Sequence, residues 1–346
     1  MNKTKIGIIF GGASEEHPIS VKSAREIALN IDTEKYDPYW IRITNSGEWK
    51  LCDGPGPLGD EHFGHSVVLS PDRSVHGLLA EREDGYEAVH LDLVFPVLHG
   101  TLGEDGAIQG LLELSGIPYI GCDVQASTIA MDKSLTYIVA ANAGVQTPNY
   151  EVVAAHTEAA TSPFAYPVFV KPARSGSSFG VSKVTREDEL AGAVRTAREF
   201  DSKVLVEEAV SGSEIGCAVL GNDEDIVVGE VDRVDLSQGF FRIHQEDSPE
   251  TGSENSTFIV PADITVESRQ LVQETAKTIY RALGCRGLAR VDMFLTEDGR
   301  VVINEVNTMP GMTSYSRYPR MMAASGLSTS EVIDQLVALA LQEKSR

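Results

Sequence analysis

Apolar positions in the first third of the chain alternate between strand-like and helix-like spacing. Lys5–Phe10 is a short, mostly apolar run that ends at Gly11-Gly12, which predicts a buried strand. Ile19–Ile31 carries apolar residues at helical spacing, and Pro18 suits a first helical turn. Further elements are predicted as strands at Tyr39–Ile43 and Leu91–Leu98 and as a helix at Ala107–Leu114. This alternation favours a mostly parallel, open sheet in this part of the chain.

Two further α/β units follow. The second is predicted to contain a helix, two strands joined by a Gly/Ser loop, an amphipathic helix and a strand: Lys133–Ala143, Val168–Lys171, Val181–Val184, Glu187–Phe200 and Lys203–Glu208. The third is predicted to contain Glu214–Leu220, Ile226–Val231, Ser268–Leu283, Leu288–Leu295, Val301–Val306 and a last helix opened by the capping box Ser328-x-x-Glu331. Residues 233–257 are polar and aperiodic, which is typical of a lid or binding loop, or of disorder.

Composition and charge exclude several classes of function. The 346 residues are 42% hydrophobic and 23% charged, as in ordinary globular proteins. Because the formal charge is −22, the body of the protein repels polyphosphate backbones, and we expect neither nucleic acid nor an anionic membrane as a partner. The four cysteines are dispersed and form no C-x-x-C pair, which predicts a reduced protein. The sequence shows neither the apolar core of a signal peptide nor an apolar run of membrane length, so we expect a cytoplasmic location.

The most informative pattern is the final predicted hairpin. Asp298-Gly299 is a two-residue turn signal, which predicts that Asp292 faces Glu305 and that Arg290 faces Asn307. Alternation along each strand places these four side chains on one face of the sheet. A one-residue slip in register would scatter them, so the prediction depends on the turn.

Opposed carboxylates at Asp292 and Glu305 repel each other, and a divalent cation removes that repulsion. Asp, Glu and Asn oxygens suit Mg²⁺, especially when substrate phosphates complete the shell. A solvated polar face is the alternative interpretation. The opposite face of the hairpin is apolar except for Asn304.

A loop rich in Gly and Ser, Lys171–Gly180, lies between two predicted strands. Its backbone N–H groups and hydroxyls suit phosphates, and Lys171 adds positive charge; a flexible hairpin loop is the alternative. Gly176–Gly180 also matches the G-x-S-x-G motif of serine hydrolases. That motif requires a helix after the turn, whereas Val181–Val184 is predicted as a strand, which argues against a hydrolase.

Other candidate residues are weaker signals. The turn from Gly11 to Glu16 lacks the spacing of a dinucleotide-binding loop, and its carboxylates suit a substrate ammonium or merely the helix dipole. Lys133 alone fits an ordinary surface lysine, and His244 alone fits a solvated loop histidine. Neither indicates a function without further context.

Together these segments resemble the D-alanine–D-alanine ligase family, which has the ATP-grasp fold. The resemblance covers essentially the whole chain and rests on six ordered stretches: Gly11–His17, His99–Gly106, Met131–Lys133, Lys171–Gly180, Arg290–Asp292 and Glu305–Ser314. It implies an α/β protein of three α/β domains, 1–121, 122–207 and 208–346, with ATP between the central and C-terminal domains. Residues 233–257 would then be a lid that protects an acylphosphate from water.

The resemblance also implies roles on the nucleotide side of the site. ATP phosphates would contact Lys133 and Lys171, with Ser177 nearby, and adenine and ribose would contact Glu207 and Glu214. Two Mg²⁺ ions, with Mn²⁺ as a substitute, would be bound by Asp292, Glu305 and Asn307.

On the substrate side, the resemblance assigns Arg290 to the tetrahedral oxyanion and Glu16 to the ammonium of the first D-alanine, with Ser177 as its hydrogen-bonding neighbour. His99 would also contact substrate. The region of the second substrate and the oxyanion would be lined by Gly311 and Ser316.

One departure bears on the second substrate. Ordinary D-alanine–D-alanine ligases carry a Lys-Tyr pair in the lid, but residues 233–257 contain no tyrosine and include His244 instead. This resembles the VanA-type D-alanine–D-lactate ligases of glycopeptide resistance, as do Lys22 and the Ser314–Pro319 run with Arg317. His244, Lys22, Ser316 and Arg317 would then serve the substrate site.

The resemblance therefore implies a homodimeric enzyme that acts on D-alanine, D-lactate and ATP. A D-alanine–D-alanine or D-alanine–D-serine ligase is the alternative within the family. A non-catalytic ATP-binding protein is the alternative from another class.

Overall fold

A computed structural model describes residues 3–56, 64–153, 161–222, 225–237, 239 and 255–343. Their strands form three sheets, each covered by helices. His244 and most of the predicted lid lie outside the described residues. None of the helices in these ranges is both long and apolar enough to cross a membrane.

The first sheet has seven strands, in the order β6-β5-β4-β3-β2-β1-β7. They are β1 (Thr4–Gly11), β2 (Tyr36–Ile43), β3 (Trp49–Cys52), β4 (His65–Leu69), β5 (Gly77–Arg82), β6 (Gly85–His90) and β7 (Leu93–Val97). Strand β1 is parallel to β2 and β7, but the other neighbours are antiparallel, so the expectation of a mostly parallel sheet was wrong. Strand β6 buries none of its residues and so lacks the hydrophobic pattern that would reveal it.

Two helices cover opposite faces of this sheet: α1 (His17–Asn30) and α2 (Ala107–Ser115). Successive β1 side chains point to opposite faces, so Ile8 packs with Ile27 of α1 while Ile9 packs with Leu112 of α2. Both helices were predicted from the sequence, the first of them from its apolar spacing. Burial of the apolar faces of the two helices fixes the loops that precede them. Glu16 lies in the loop before α1, and His99 lies in the loop before α2.

The second sheet is antiparallel, with the order β10-β9-β11-β8. Its strands are β8 (Tyr150–Val153), β9 (Val168–Pro172), β10 (Ser182–Val184) and β11 (Val204–Glu208). Helix α5 (Glu187–Arg198) buries Leu190, Val194 and Ala197 against one face. The prediction of strands on both sides of the Gly/Ser loop is confirmed, and a strand rather than a helix follows that loop.

The third sheet is also antiparallel, with the order β15-β14-β12-β16-β17, and β13 pairs with β12. Its strands are β12 (Ser213–Asn222), β13 (Asp225–Val228), β14 (Asp232–Leu236), β15 (Ser256–Ile259), β16 (Gly287–Leu295) and β17 (Val301–Asn307). The expectation of an aperiodic loop over 233–257 was therefore wrong at both ends, which are paired strands. Strand β14 escapes notice because its buried positions include the charged Asp232.

Five helices surround the third sheet: α3 (Val124–Met131), α4 (Lys133–Asn142), α6 (Val266–Ala282), α7 (Arg317–Ala324) and α8 (Thr329–Glu343). The first three share a core with this sheet, in which Tyr137 and Ile279 pack near Val291. Helices α7 and α8 pack between the first and third sheets, where Tyr318 and Ile333 share a core with the first sheet. The domain boundaries 1–121, 122–207 and 208–346 stay a prediction.

Candidate active site

A cleft of about 1380 Å³ is lined by residues from all three sheets and their loops. Every residue predicted for the site lines it except Lys22 and His244. Lys22 lies half-buried on α1 and is not among the residues that line the cleft, and His244 is outside the described residues. The structure therefore collects residues that are up to three hundred positions apart in the chain.

The β16–β17 hairpin brings the predicted metal ligands together, but not by the predicted turn. Thr296 N–H donates to Arg300 O at 2.9 Å, so the turn has three residues and ends at Gly299, with φ +81°. A bulge follows between Asp292 and Met293, and it restores the pairs Asp292–Glu305 and Arg290–Asn307. The register at the site is confirmed, whereas the two-residue turn was wrong.

Asp292 lies at the centre of this face with 1% of its surface exposed. It accepts hydrogen bonds from Arg290 Nε (2.9 Å) and Nη2 (2.8 Å) and from Asn307 Nδ2 (3.0 Å), and Arg317 Nη1 lies 3.3 Å away. Burial acts to raise the pKa of Asp292, but the two arginines outweigh it and hold that pKa below its usual value. Protein cations thus supply part of the neutralisation that the sequence assigned to a metal.

Arg317 is buried, and its guanidinium group is hydrogen-bonded to carboxylates of the protein. It donates to both oxygens of Asp232, at 2.7 and 2.8 Å, and to Glu214 Oε1 at 3.1 Å. Gly216 leaves room for it, since a Cβ there would lie 2.5 Å from Arg317 Nη2. Burial raises the pKa of Glu214, against the opposing effect of the Arg317 charge. The roles of Glu214 at ribose and of Arg317 at substrate stay predictions.

Lys171 and Glu207 form a buried ion pair on the second sheet. The Lys171 Nζ to Glu207 Oε1 distance is 2.6 Å, and Glu207 is only 2% exposed. Tyr137 donates to the other Glu207 oxygen at 2.8 Å, and the bulge turns Asn304 Oδ1 to within 3.4 Å of Lys171 Nζ. Sequence reasoning missed Tyr137, and it took Asn304 for an exception on the apolar face.

Lys133 joins the Gly/Ser loop to the face of the β16–β17 hairpin that carries Asp292 and Glu305. Its Nζ donates to Ser175 O at 2.8 Å and lies 3.2 Å from Glu305 Oε2. It begins α4, whose N-cap Asp132 accepts hydrogen bonds from Ser134 N and Leu135 N. The cap aims the lysine into the cleft, so the residue that was uninformative alone is buried beside Glu305.

The Gly/Ser loop has a strained tip. Ser177 and Ser178 have φ of +52° and +59°, in the left-handed region that costs non-glycine residues energy. Ser177 Oγ donates to Glu16 Oε1 at 2.5 Å, the contact that the family resemblance implied. The loop thereby reaches the first helix across the cleft.

The region expected for the second substrate lies beside the start of α7. Ser316 occupies the N-cap position, and its hydroxyl lies 2.5 Å from that of Thr313. A Cβ on Gly311 would lie 2.8 Å from Ser316 Oγ, so a glycine there keeps the approach open. His99 is buried nearby and contacts Met309 O through Nδ1 (2.9 Å) and Ser23 Oγ through Nε2 (3.2 Å).

The donor set of the hairpin suits Mg²⁺. Asp292 and Glu305 offer carboxylate oxygens. The amide nitrogen of Asn307 donates to Asp292, so the amide oxygen of Asn307 is the atom that could bind a metal ion. Among the described residues, no three His, Cys, Asp or Glu side chains cluster closely enough to hold a metal by themselves. The residues therefore fit an ion that brings further oxygen ligands from a nucleotide.

Comparison with known proteins identifies the family. The family model described as the D-ala D-ala ligase N-terminus matches residues 5–122, and that of the D-ala D-ala ligase C-terminus matches residues 137–338. The chain belongs to the D-alanine–D-alanine ligase family. The ATP-grasp fold and the membership in a family of ATP-dependent ligases are thereby confirmed.

Individual members of the D-alanine–D-alanine ligase family are similar over the full length. The chain is 66% identical to a putative D-alanine–D-lactate ligase of Streptomyces coelicolor, with all of both chains covered. It is 60% identical to the vancomycin/teicoplanin A-type resistance protein VanA of Enterococcus faecium, over 99% of this chain and 100% of that protein. The crystal structure of the VanG D-Ala:D-Ser ligase from Enterococcus faecalis matches with a TM-score of 0.88 and 44% identity, over 98% of this chain and 100% of that one.

Proposed function

We propose that the protein joins D-alanine to D-lactate at the expense of ATP and releases D-alanyl-D-lactate, ADP and phosphate. The observation that carries the proposal is the 66% identity, over the whole of both chains, to a protein named as a putative D-alanine–D-lactate ligase. The tyrosine-free lid sequence supports the same second substrate. The product would serve modified peptidoglycan precursors and glycopeptide resistance.

The nucleotide side of the cleft is suited to activate a carboxylate. A carboxylate is a poor acyl donor, and transfer of the γ-phosphoryl group of ATP converts it to an acylphosphate. Lys133 and Lys171, which both line the cleft, would supply two ammonium groups to the phosphates. Asp292, Glu305 and Asn307 would hold Mg²⁺, which supplies neutralisation of phosphate charge when bound.

The substrate side is suited to orient the two acids. Glu16, with Ser177 at 2.5 Å, offers a carboxylate to the ammonium of D-alanine. Attack by the hydroxyl of D-lactate on the acylphosphate creates a tetrahedral alkoxide, which the guanidinium of Arg290 would stabilise as its charge develops. The lid would exclude water, which otherwise hydrolyses the acylphosphate.

An ADP-release assay tests this proposal. We expect ADP release with D-alanine to increase on addition of D-lactate, and the mass of the product to be that of D-alanyl-D-lactate. A product of D-alanyl-D-alanine alone would instead indicate a D-alanine–D-alanine ligase. Incorporation of D-serine, when it is added in place of D-lactate, would indicate a D-alanine–D-serine ligase. Absence of substrate-dependent ADP release would instead favour a non-catalytic ATP-binding protein.

We further propose that His244 selects the second substrate. A protonated imidazole would attract the carboxylate of D-lactate and repel the ammonium of D-alanine, and an ordinary histidine has a pKa of about 6.5. The ratio of depsipeptide to dipeptide should therefore rise as pH falls through neutrality. Product ratios measured by mass with both acids present, from mildly acidic to alkaline pH, check this.

The matched variant is His244→Ala. It should lose depsipeptide synthesis while it keeps ATP binding and dipeptide synthesis, because the imidazole charge is absent at every pH. A wild-type ratio that stays flat with pH, or unchanged use of D-lactate by the variant, would contradict the role of His244.

The remaining proposals follow from the family. We propose two Mg²⁺ ions in the nucleotide complex, with Mn²⁺ as a substitute, and a homodimer. We also propose a cytoplasmic location, where ATP is available. Light scattering coupled to size exclusion tests the dimer directly, with a mass of 37.4 kDa expected for a single chain.

A further inference from the structure

Glu104 lies between β7 and α2, lines the cleft and bonds to two separate loops. Its Oε2 accepts a hydrogen bond from Gly100 N at 2.8 Å, and its Oε1 accepts one from Met309 N at 3.0 Å. Gly100 belongs to its own loop, whereas Met309 follows β17 and is 205 positions away. One carboxylate thus bridges backbone from the first and third sheets.

The loop 308–312 is hydrogen-bonded to side chains of the first unit, which is the part of the chain that forms the first sheet with α1 and α2. His99 Nδ1 lies 2.9 Å from Met309 O, so both the N–H and the C=O of this residue contact side chains of one loop. Met312 N donates to Ser23 Oγ of α1 at 3.1 Å. The backbone of this loop is therefore placed by side chains of the first unit.

The same loop borders the region proposed for the second substrate. Met309, Pro310 and Gly311 line the cleft together with Ser316. An added Cβ on Gly311 would lie 2.8 Å from Ser316 Oγ, so the backbone of this loop borders the space beside Ser316, and a displacement of the loop changes that space. The position of 308–312 therefore sets the width of this part of the cleft.

The other end of the bridge reaches the region proposed for the first substrate. Gly100 has φ +67°, and a Cβ on it would lie 2.3 Å from Glu16 Oε2, so its backbone lies directly against the Glu16 carboxylate. Glu16 also accepts the Ser177 hydrogen bond. A shift of Gly100 would consequently displace Glu16.

We propose that Glu104 is a positioning residue that sets the distance between the Glu16 carboxylate and the loop 308–312, and so the spacing between the sites of the two joined acids. It acts through the backbone of Gly100 and Met309 and not through contact with the reacting atoms. This inference rests on the proposed ligase function and applies to any second substrate of that reaction.

The electrostatic setting supports a role beyond packing. Burial, and then the charge of Glu16, raise the pKa of Glu104 to about 8, while the N–H groups of Gly100 and Met309 act to lower it, so the carboxylate that accepts both N–H groups is the main form above that pH. Carboxyl groups perturbed in this way by burial and a neighbouring charge cluster at functional sites. Both oxygens nevertheless accept backbone N–H groups, which is the arrangement that a bridging role requires.

Glu104→Gln tests the proposal with almost no change in shape. A glutamine presents one acceptor and one donor group, so either Gly100 N–H or Met309 N–H would face another donor. In assays at about pH 9, where the wild-type Glu104 is ionised, we expect the KM for the second substrate to rise about tenfold to a hundredfold, as for loss of a charge-assisted hydrogen bond, with the KM for ATP within about twofold of wild type. Glu104→Asp, which keeps the charge on a shorter side chain, should recover part of the affinity.

Glu113→Gln is the matched control, because Glu113 is an exposed glutamate of the same unit that accepts a hydrogen bond from Tyr119 outside the cleft. It should leave every KM unchanged. An unchanged KM for the second substrate in Glu104→Gln, or an equal rise in the KM for ATP together with a lowered unfolding midpoint, would overturn the positioning role. The wild-type reaction in the same assay separates this result from failure of the proposed function, which would appear as no ligation by any of the proteins.

Discussion

Lys171→Met should reduce the rate of ADP release by about a hundredfold to a thousandfold. It should also lower the free energy of unfolding by about 3–5 kcal/mol. The variant removes the ammonium that lies 2.6 Å from Glu207 Oε1 and leaves that 2% exposed carboxylate without its cation. It also removes positive charge proposed to face the transferring phosphoryl group. Urea unfolding and the ADP-release assay measure the two effects separately.

The double variant Lys171→Met with Glu207→Gln distinguishes folding from function. A neutral glutamine needs no cation, so most of the lost stability should return, whereas ADP release should stay low because the phosphate still lacks its ammonium. Lys277→Met is a control that should leave ADP release unchanged, since Lys277 pairs with Glu274 on α6 and does not line the cleft. Recovery of ADP release in the double variant would contradict the proposed role of Lys171 at ATP.

Asp292→Asn should reduce activity by about as much as Lys171→Met, through a different part of the site. Asp292 neutralises Arg290 and Arg317 within a nearly solvent-free face, so an amide leaves two guanidinium groups with less compensating charge. We expect the free energy of unfolding to fall by about 3–5 kcal/mol. We also expect kcat to fall by about a hundredfold to a thousandfold, because the transition state loses both a proposed metal ligand and the alignment of Arg290.

Binding of Mn²⁺ in the presence of ADP, followed by electron paramagnetic resonance, gives a readout independent of turnover. It should weaken in Asp292→Asn and stay unchanged in Asp298→Asn, a control in the exposed turn of the same hairpin. Normal Mn²⁺ affinity in Asp292→Asn would remove Asp292 from the proposed metal ligands. Normal stability would show that Arg317 and Arg290 do not depend on its charge.

The final hairpin shows how far local sequence reasoning reaches. Alternating side chains correctly placed Asp292 and Glu305 on one face, because that period is a property of every strand. The Asp298-Gly299 signal predicted a two-residue turn, but the three-residue turn and the bulge near Asn304 change the pairing twice and compensate at the site. A bulge is stabilised by what surrounds it, so the sequence of two strands could not reveal it.

The buried charges show the opposite case. Sequence patterns treat a charged residue as exposed, and they therefore missed β14, whose Asp232 is fully buried against Arg317. They also left Lys133 uninformative, although it lies between Ser175 O and Glu305. In both cases the compensating partner is about 40 to 170 positions away in the chain, beyond any local window.

By itself, the sequence determined most helices and strands, the Gly/Ser loop and the chemical identity of the site residues, because side-chain period and residue type are local properties. The motifs and their order were also enough to identify the ligase family, which the comparisons confirmed. Only the tertiary structure decided the antiparallel half of the first sheet, the burial of Arg317 among three carboxylates and the bridge from Glu104 to Met309. These features depend on contacts between distant parts of the chain, whose free energy is realised only when the three sheets pack around one cleft.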